Sequence, residues 1–186
     1  MPRYVAFLRA INVGGRTVRM DELRRLFEAM ELARVETFIA SGNVLFDAPS
    51  AKPAALERRI EEGLERALGY KVATFLRSPA ELAATAAHQP FGSPDPLAAG
   101  HALSIAFLKS APSPETRQAI LALATEIDDF DVREREIHWR CRTRVSDSTV
   151  SGARLERMLG APTTVRNVTT VRKLALKLPA SSPGVA

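Results

Sequence analysis

Residues 35–77 read VETFIASGNVLFDAPSAKPAALERRIEEGLERALGYKVATFLR, and the order of patterns in this stretch decides the fold. Val35 to Ala40 is strand-like, Ser41-Gly42-Asn43 is turn chemistry, and Val44 to Asp47 is a second strand, so the pair predicts a hairpin. Pro53 stands at a first helical position, where its missing N–H costs nothing. Leu56, Ile60, Leu64 and Leu68 then share one helical stripe, and Gly69 supplies the stop. Lys71 to Arg77 returns as a strand.

Upstream of this stretch, Arg3 to Ile11 reads as a strand, and Met20, Leu23, Leu26, Phe27 and Met30 recur at helical spacing, with Asp21 near the helix start. Residues 1–78 therefore carry the order β-α-β-β-α-β, the ferredoxin-like unit. Downstream, Ser78-Pro79-Ala80-Glu81 forms a capping box that opens a connecting helix to about His88. A loop from Gln89 to Gly100 follows, with three prolines and two glycines, and reads as a boundary or lid, so residues 79–101 form a connecting helix and a Pro/Gly-rich loop.

The order then repeats over 102–178. Ala102 to Leu108 is a strand, Ser113-Pro114 opens a helix with Ile120, Leu123 and Ile127, and Phe130–Arg135 with Ile137–Arg142 makes a hairpin. Ser151 caps a helix ended by Gly160, a strand runs near Thr163 to Arg166, and a C-terminal helix turns Val168, Val171, Leu174, Ala175 and Leu178 inward. Residues 179–186 read as a frayed tail. The fold class is α+β: two successive ferredoxin-like halves packed together, plus a C-terminal helix. In the first strand both alternating faces, Tyr4-Ala6-Leu8 and Val5-Phe7-Ile11, are apolar, so something must cover each; the second half, or a second copy of the chain, is the expected cover.

Composition narrows the class. With 186 residues, 46% hydrophobic, the chain can bury a proper core, and it has no apolar run of the roughly 20 residues that a membrane span needs. Nothing directs export, and the one cysteine, Cys141, fits a reducing, cytoplasmic setting. The net charge of +5 is uneven: residues 1–78 carry +3, 79–128 carry −3 and 129–186 carry +5. Basic ends suit an anionic partner.

Topology says where polar residues should meet. In a β-α-β-β-α-β unit the turn between strands two and three lies at the sheet end where strand one exits. Asn12-Val13-Gly14-Gly15 should therefore approach Ser41-Gly42-Asn43. Gly14 and Gly15 can take positive φ and present consecutive N–H groups to an anion. Arg9 lies at the strand end, Arg16 and Arg19 follow the glycines, and Ser41 and Asn43 add hydrogen-bonding side chains. Taken singly, each motif also reads as a plain turn.

These residues resemble a family. Leu8 to Gly15 (LRAINVGG), Thr37 with Ser41-Gly42-Asn43-Val44, Pro90-Phe91, Thr164-Val165-Arg166-Asn167 and Thr170 to Leu174 (TVRKL) look like the bacterial family of domain of unknown function 1697, in matching order to about residue 178. The resemblance implies the same architecture and names no activity and no cofactor. Ala10 stands where the family usually has glycine, and Val168-Thr169 where it usually has a tryptophan and a polar residue.

Arg166 and Asn167 are the second half's candidates: Asn167 as a helix N-cap, Arg166 as a cation beside a helix start. His88, His101 and His138 show no metal-ligand spacing and read as loop or surface residues, and Cys141 shares a core face with Ile137 and Trp139. No metal site and no catalytic constellation is expected. His138, Arg140, Arg142 and Arg144 share the other face as a basic stripe, which predicts either a nucleic-acid track or a surface neutralised by Glu134 and Glu136 across the hairpin. The leading expectation is a phosphorylated or other anionic small molecule bound by Arg9, Asn12, Gly14, Gly15, Ser41, Gly42 and Asn43, in a monomer or homodimer. A nucleic-acid module using Arg140–Arg144 is second, and an interaction protein third.

Overall fold

A computed structural model describes residues 1–39, 42–49 and 52–179. The chain divides into two compact units, 1–83 with 174–186, and 84–173. Each is a four-stranded antiparallel sheet with helices, the α+β ferredoxin-like arrangement.

In the first unit β1 (Arg3–Leu8), α1 (Met20–Ala29), β2 (Ala33–Thr37), β3 (Asn43–Asp47), α2 (Pro53–Leu68) and β4 (Thr74–Arg77) give the sheet order β2-β3-β1-β4. The third strand lies beside the first, with Val5 opposite Leu45 on one side and Arg77 on the other. Tyr4, Ala6, Leu8, Val44, Phe46 and Leu76 meet Leu23 and Phe27 of α1 and Leu56, Ile60 and Leu64 of α2 in one core. Gly69 ends α2 at φ 78°, where a side chain would strain the backbone. Residues of both sheet faces, including Val5, Phe7, Leu45 and Phe75, are buried.

α2 also completes the edge of the sheet. Glu57 accepts a hydrogen bond from the Leu76 N–H at 2.8 Å, and Glu61 accepts one from the Thr74 N–H at 2.8 Å. An edge strand with unpaired N–H groups invites further pairing, and here the helix occupies them.

Several limits differ from those the sequence predicts: β4 begins at Thr74 rather than Lys71, and the helix opened by Ser113-Pro114 ends at Leu121, so Leu123 and Ile127 lie beyond it. β1 ends at Leu8 rather than Ile11, because Ala10 turns left-handed at φ 52° and Ile11 joins the core on the Ala6–Leu8 side. β2 runs from Ala33 rather than Val35, with an irregularity between Ala33 and Glu36 where Arg34 sits at φ 46°. β2 ends at Thr37 rather than Ala40, and Ala40 itself lies outside the described residues.

The second unit opens on α3 (Pro79–Ala87), which begins in the first; Ser78 and Glu81 form its capping box, with the Ser78 N–H donating to Glu81 at 2.8 Å. β5 (Ala102–Phe107), α4 (Pro114–Leu121), β6 (Asp128–Arg133), β7 (Glu136–Cys141), α5 (Gly152–Leu159) and β8 (Thr164–Asn167) follow, and α6 (Val168–Lys177) ends the described elements. The order β6-β7-β5-β8 repeats the first sheet's topology. Ala106, Phe130, Val132, Ile137 and Trp139 pack on Ile120 of α4 and Leu155 of α5. Ser113 and Ser151 cap their helices by accepting from Thr116 N–H and Arg154 N–H.

Candidate functional site

The first sheet brings its two turn motifs to one end. Phe7 pairs with Asn43, and the Leu8 N–H donates to Gly42 O at 2.8 Å. Gly42 is forced to be glycine there: its φ is 76°, and a Cβ would stand 3.0 Å from Ile11 Cγ2 and 3.1 Å from Leu8 Cβ. The two asparagines hold the turns. Asn12 Oδ1 accepts from the Val18 N–H at 2.7 Å, closing the loop that leaves β1. Asn43, fully buried, donates to Phe38 O at 2.9 Å, while the Phe38 N–H donates to Asn43 O. Ser41, the remaining member of that turn, lies outside the described residues.

What remains on the surface of this end is Gly14, Gly15 and the arginines. Gly14 and Gly15 take φ of 70° and 79° with nothing within 4 Å of where a Cβ would stand. The Arg16 guanidinium lies 4.1 Å from the Tyr70 ring centre, and the Tyr70 hydroxyl donates to Ile11 O at 3.0 Å. Among the described residues Arg16 has no carboxylate partner. Arg9 extends the β1–β4 pairing, its N–H donating to Ala73 O at 2.9 Å, and Arg19 pairs with Asp21. The recess between the turns, walled by Ile11, Asn12, Thr37 and Asn43, leaves only about 10 Å³ for the centre of a water molecule. That is room for a single water. Any ligand therefore sits on the rim, where Val13, Met20 and Ile39 are exposed.

Arg166 and Asn167 lie in the second unit. Asn167 Oδ1 accepts from the Thr169 N–H at 2.8 Å, the N-cap arrangement. Arg166 is buried, donating to Thr164 Oγ1 at 2.7 Å and Val165 O at 3.0 Å, and burial lowers its pKa to about 10, which keeps it cationic at neutral pH.

The basic stripe is neutralised, but not by the residues expected. Register places Asp129 opposite Arg140 and Asp131 opposite His138. Arg140 makes a two-pronged contact with Asp129, Arg142 reaches the same carboxylate at 2.8 Å, and Arg144 pairs with Asp147. Glu134 instead sits in the hairpin turn at φ 50°, and Glu136 stands opposite Arg133 and Phe107. The hairpin begins at Asp128 rather than Phe130, which brings Asp129 into the strand opposite Arg140.

Two histidines read from sequence as loop or surface residues meet inside the second unit. His88, just after α3, shares a hydrogen bond of 2.8 Å between Nε2 and Asp131 Oδ2, and its ring meets that of His138 edge-on at 4.7 Å between centres. His138 is 4% exposed. Burial, with the charge of His88 beside it, pushes the His138 imidazole down to about 4. Beside them is a cavity of about 320 Å³, its mouth included, walled by His88, Phe91, Asp95, Ile105, His138 and Arg172. One signal pointed to this cluster: correct hairpin register sets Asp131 against His138. Nothing local linked His88, which lies 43 residues before Asp131. Cys141 is buried, as its strand face predicts. Among the described residues no group of histidine, cysteine and carboxylate side chains is arranged to hold a metal ion.

A family model described as a protein of unknown function, DUF1697, matches residues 1–138, and the chain belongs to that family. Among solved structures, the conserved bacterial protein SP0830 from Streptococcus pneumoniae is similar, with a TM-score of 0.76 and 25% identity over 97% of this chain and 99% of that one. No curated protein matches the chain.

Proposed function

For this member of the DUF1697 family we propose binding of a phosphorylated or otherwise anionic small molecule at the loop end of the first sheet. Gly14 and Gly15 supply backbone N–H groups, Arg16 supplies the principal charge, and Arg9 adds to the field. Asn12, Gly42 and Asn43 build the two turns that present them, and Ser41 completes the second turn. One observation carries this reading: an arginine without a carboxylate partner among the described residues lies over Tyr70, next to two left-handed glycines whose Cα atoms face open space. Exposed arginine beside accessible backbone N–H groups suits phosphate or carboxylate. With room for only one water in the recess, the anionic group is the anchor and the body of the ligand rests on the Val13, Met20 and Ile39 rim.

A thermal-shift screen of nucleotides, sugar phosphates, inorganic phosphate and carboxylates tests it, run on the wild type and on Arg16→Ala. Arg16 is the informative position because removing Asn43 would unmake the turn itself. Loss of one charge-assisted hydrogen bond, about 1.5–3 kcal/mol, weakens binding roughly ten- to a hundredfold. Phosphorylated compounds should stabilise the wild type and lose that effect in Arg16→Ala. Stabilisation that survives the substitution unchanged removes this site from consideration.

A further inference from the structure

The cavity of the second unit shares no residue with the loop end of the first sheet and has its own chemistry. Its carboxylates are engaged. Asp95 accepts from Arg172 at 2.5 Å and from the Leu97 N–H at 3.1 Å, and Asp131 accepts from His88. The groups left over can all donate. Arg172 uses one nitrogen of its guanidinium on Asp95, and its other donors have no partner among the described residues. His88 uses only Nε2. His138 lines the cavity, is 4% exposed, and has no hydrogen-bond partner at either ring nitrogen among the described residues.

The rest of the wall is apolar. Phe91, Pro96, Leu103 and Ile105 line it, and Phe91 is held in place by Arg140, whose guanidinium lies 5.1 Å from the ring centre and donates to Phe91 O. Arg140 is itself anchored on Asp129. The space open to water centres is about 20 Å³, enough for one or two waters, which restricts a ligand to a few heavy atoms. An arginine fork and a buried imidazole above an apolar floor match one small group best: a carboxylate with a short hydrocarbon end.

We propose that this cavity is a binding site for a short-chain carboxylate, its carboxyl group received by Arg172 and His138 and its hydrocarbon end by Phe91, Pro96 and Ile105. His138 is neutral at physiological pH, so it offers one N–H and keeps its other nitrogen as an acceptor. Asp95 orients Arg172 as a second carboxylate would, leaving the other edge of the fork for the ligand.

The test uses the full chain labelled with 15N-histidine and sodium propionate as probe, with propionamide as its uncharged counterpart. Propionate should shift the His138 ring nitrogens saturably, and propionamide should bind at least about tenfold more weakly, the difference a charged partner makes. Arg172→Gln, which keeps a donor for Asp95, and His138→Phe, which keeps the packing, should each weaken propionate by about tenfold or more, while Arg58→Ala, an exposed position on α2 outside both sites, leaves it unchanged. If millimolar propionate leaves the His138 signals of the wild type unmoved, or if propionamide binds as well, the proposal is overturned. The wild-type spectrum decides this even if a variant fails to fold.

Discussion

Gly42 and Gly14 both take positive φ, yet their surroundings differ, and substitution should separate them. At Gly42 a methyl group would press on Ile11 and on Leu8 Cβ, both buried. Gly42→Ala therefore adds overpacking to backbone strain and should cost about 2–4 kcal/mol. Gly14→Ala meets open space and should cost about 1–2 kcal/mol, the strain alone. Ala10 is the opposite case: it holds φ 52° without being glycine, so Ala10→Gly should stabilise by up to about 1 kcal/mol after the added freedom of the unfolded chain is counted. Urea melts of the three variants check these values. His138 gives a pH signature. An unfolded histidine takes up a proton near 6.5, whereas buried His138, facing His88, Asp131 and Arg133, does so only near 4. Between those values the unfolded chain binds more protons, so stability is full above pH 6.5 and falls as pH drops toward 4, by up to about 3 kcal/mol. His138→Phe should flatten that part of the profile. Equal slopes for the two proteins from pH 7 to pH 4.5 would contradict the burial argument.

At the scale of elements, helices were the more legible part. Pro53 and Gly69 bracket α2 as the sequence reading had it, and Ser113, Ser151 and Gly160 mark their helices, because caps are local chemistry written in adjacent residues. Strand limits were harder. Nothing within LRAIN announces that Ala10 turns left-handed, and β6 starts at Asp128, two residues before the Phe130 that the sequence suggests. Asp128 begins the strand because its carboxylate accepts from Trp139 Nε1 at 2.7 Å and Ser148 Oγ at 2.8 Å, a long-range arrangement that no window of sequence displays. Of the candidate residues, topology foretold that the two turns of the first sheet would meet. It could not foretell that Asn12 and Asn43 are consumed in building them, since that depends on atomic positions. The edge of β4 offers an element-scale prediction. Glu57→Ala leaves the buried Leu76 N–H without its acceptor and should cost about 1–3 kcal/mol, seen as a lowered urea midpoint with faster hydrogen exchange at Leu76. An unchanged exchange rate at Leu76 would show that the strand edge is protected some other way.

At the scale of the whole molecule, one topology is used twice with different results. In the first unit the loop leaving strand one carries exposed glycines and an arginine over Tyr70; in the second, the hairpin's outer residues and the segment after α3 enclose histidines and an arginine. Among the described residues no helix is long and apolar enough to cross a membrane, and Arg140 of β7 is taken up by Asp129 on the neighbouring strand. Cations without carboxylate partners therefore matter most where they stand beside backbone N–H groups, and that is at Gly14-Gly15-Arg16. A 1H–15N correlation titration of the uniformly labelled protein with glucose 6-phosphate tests this most directly. The amides of Gly14, Gly15 and Arg16 should move furthest and saturate together. Their staying still while signals elsewhere respond would contradict the account.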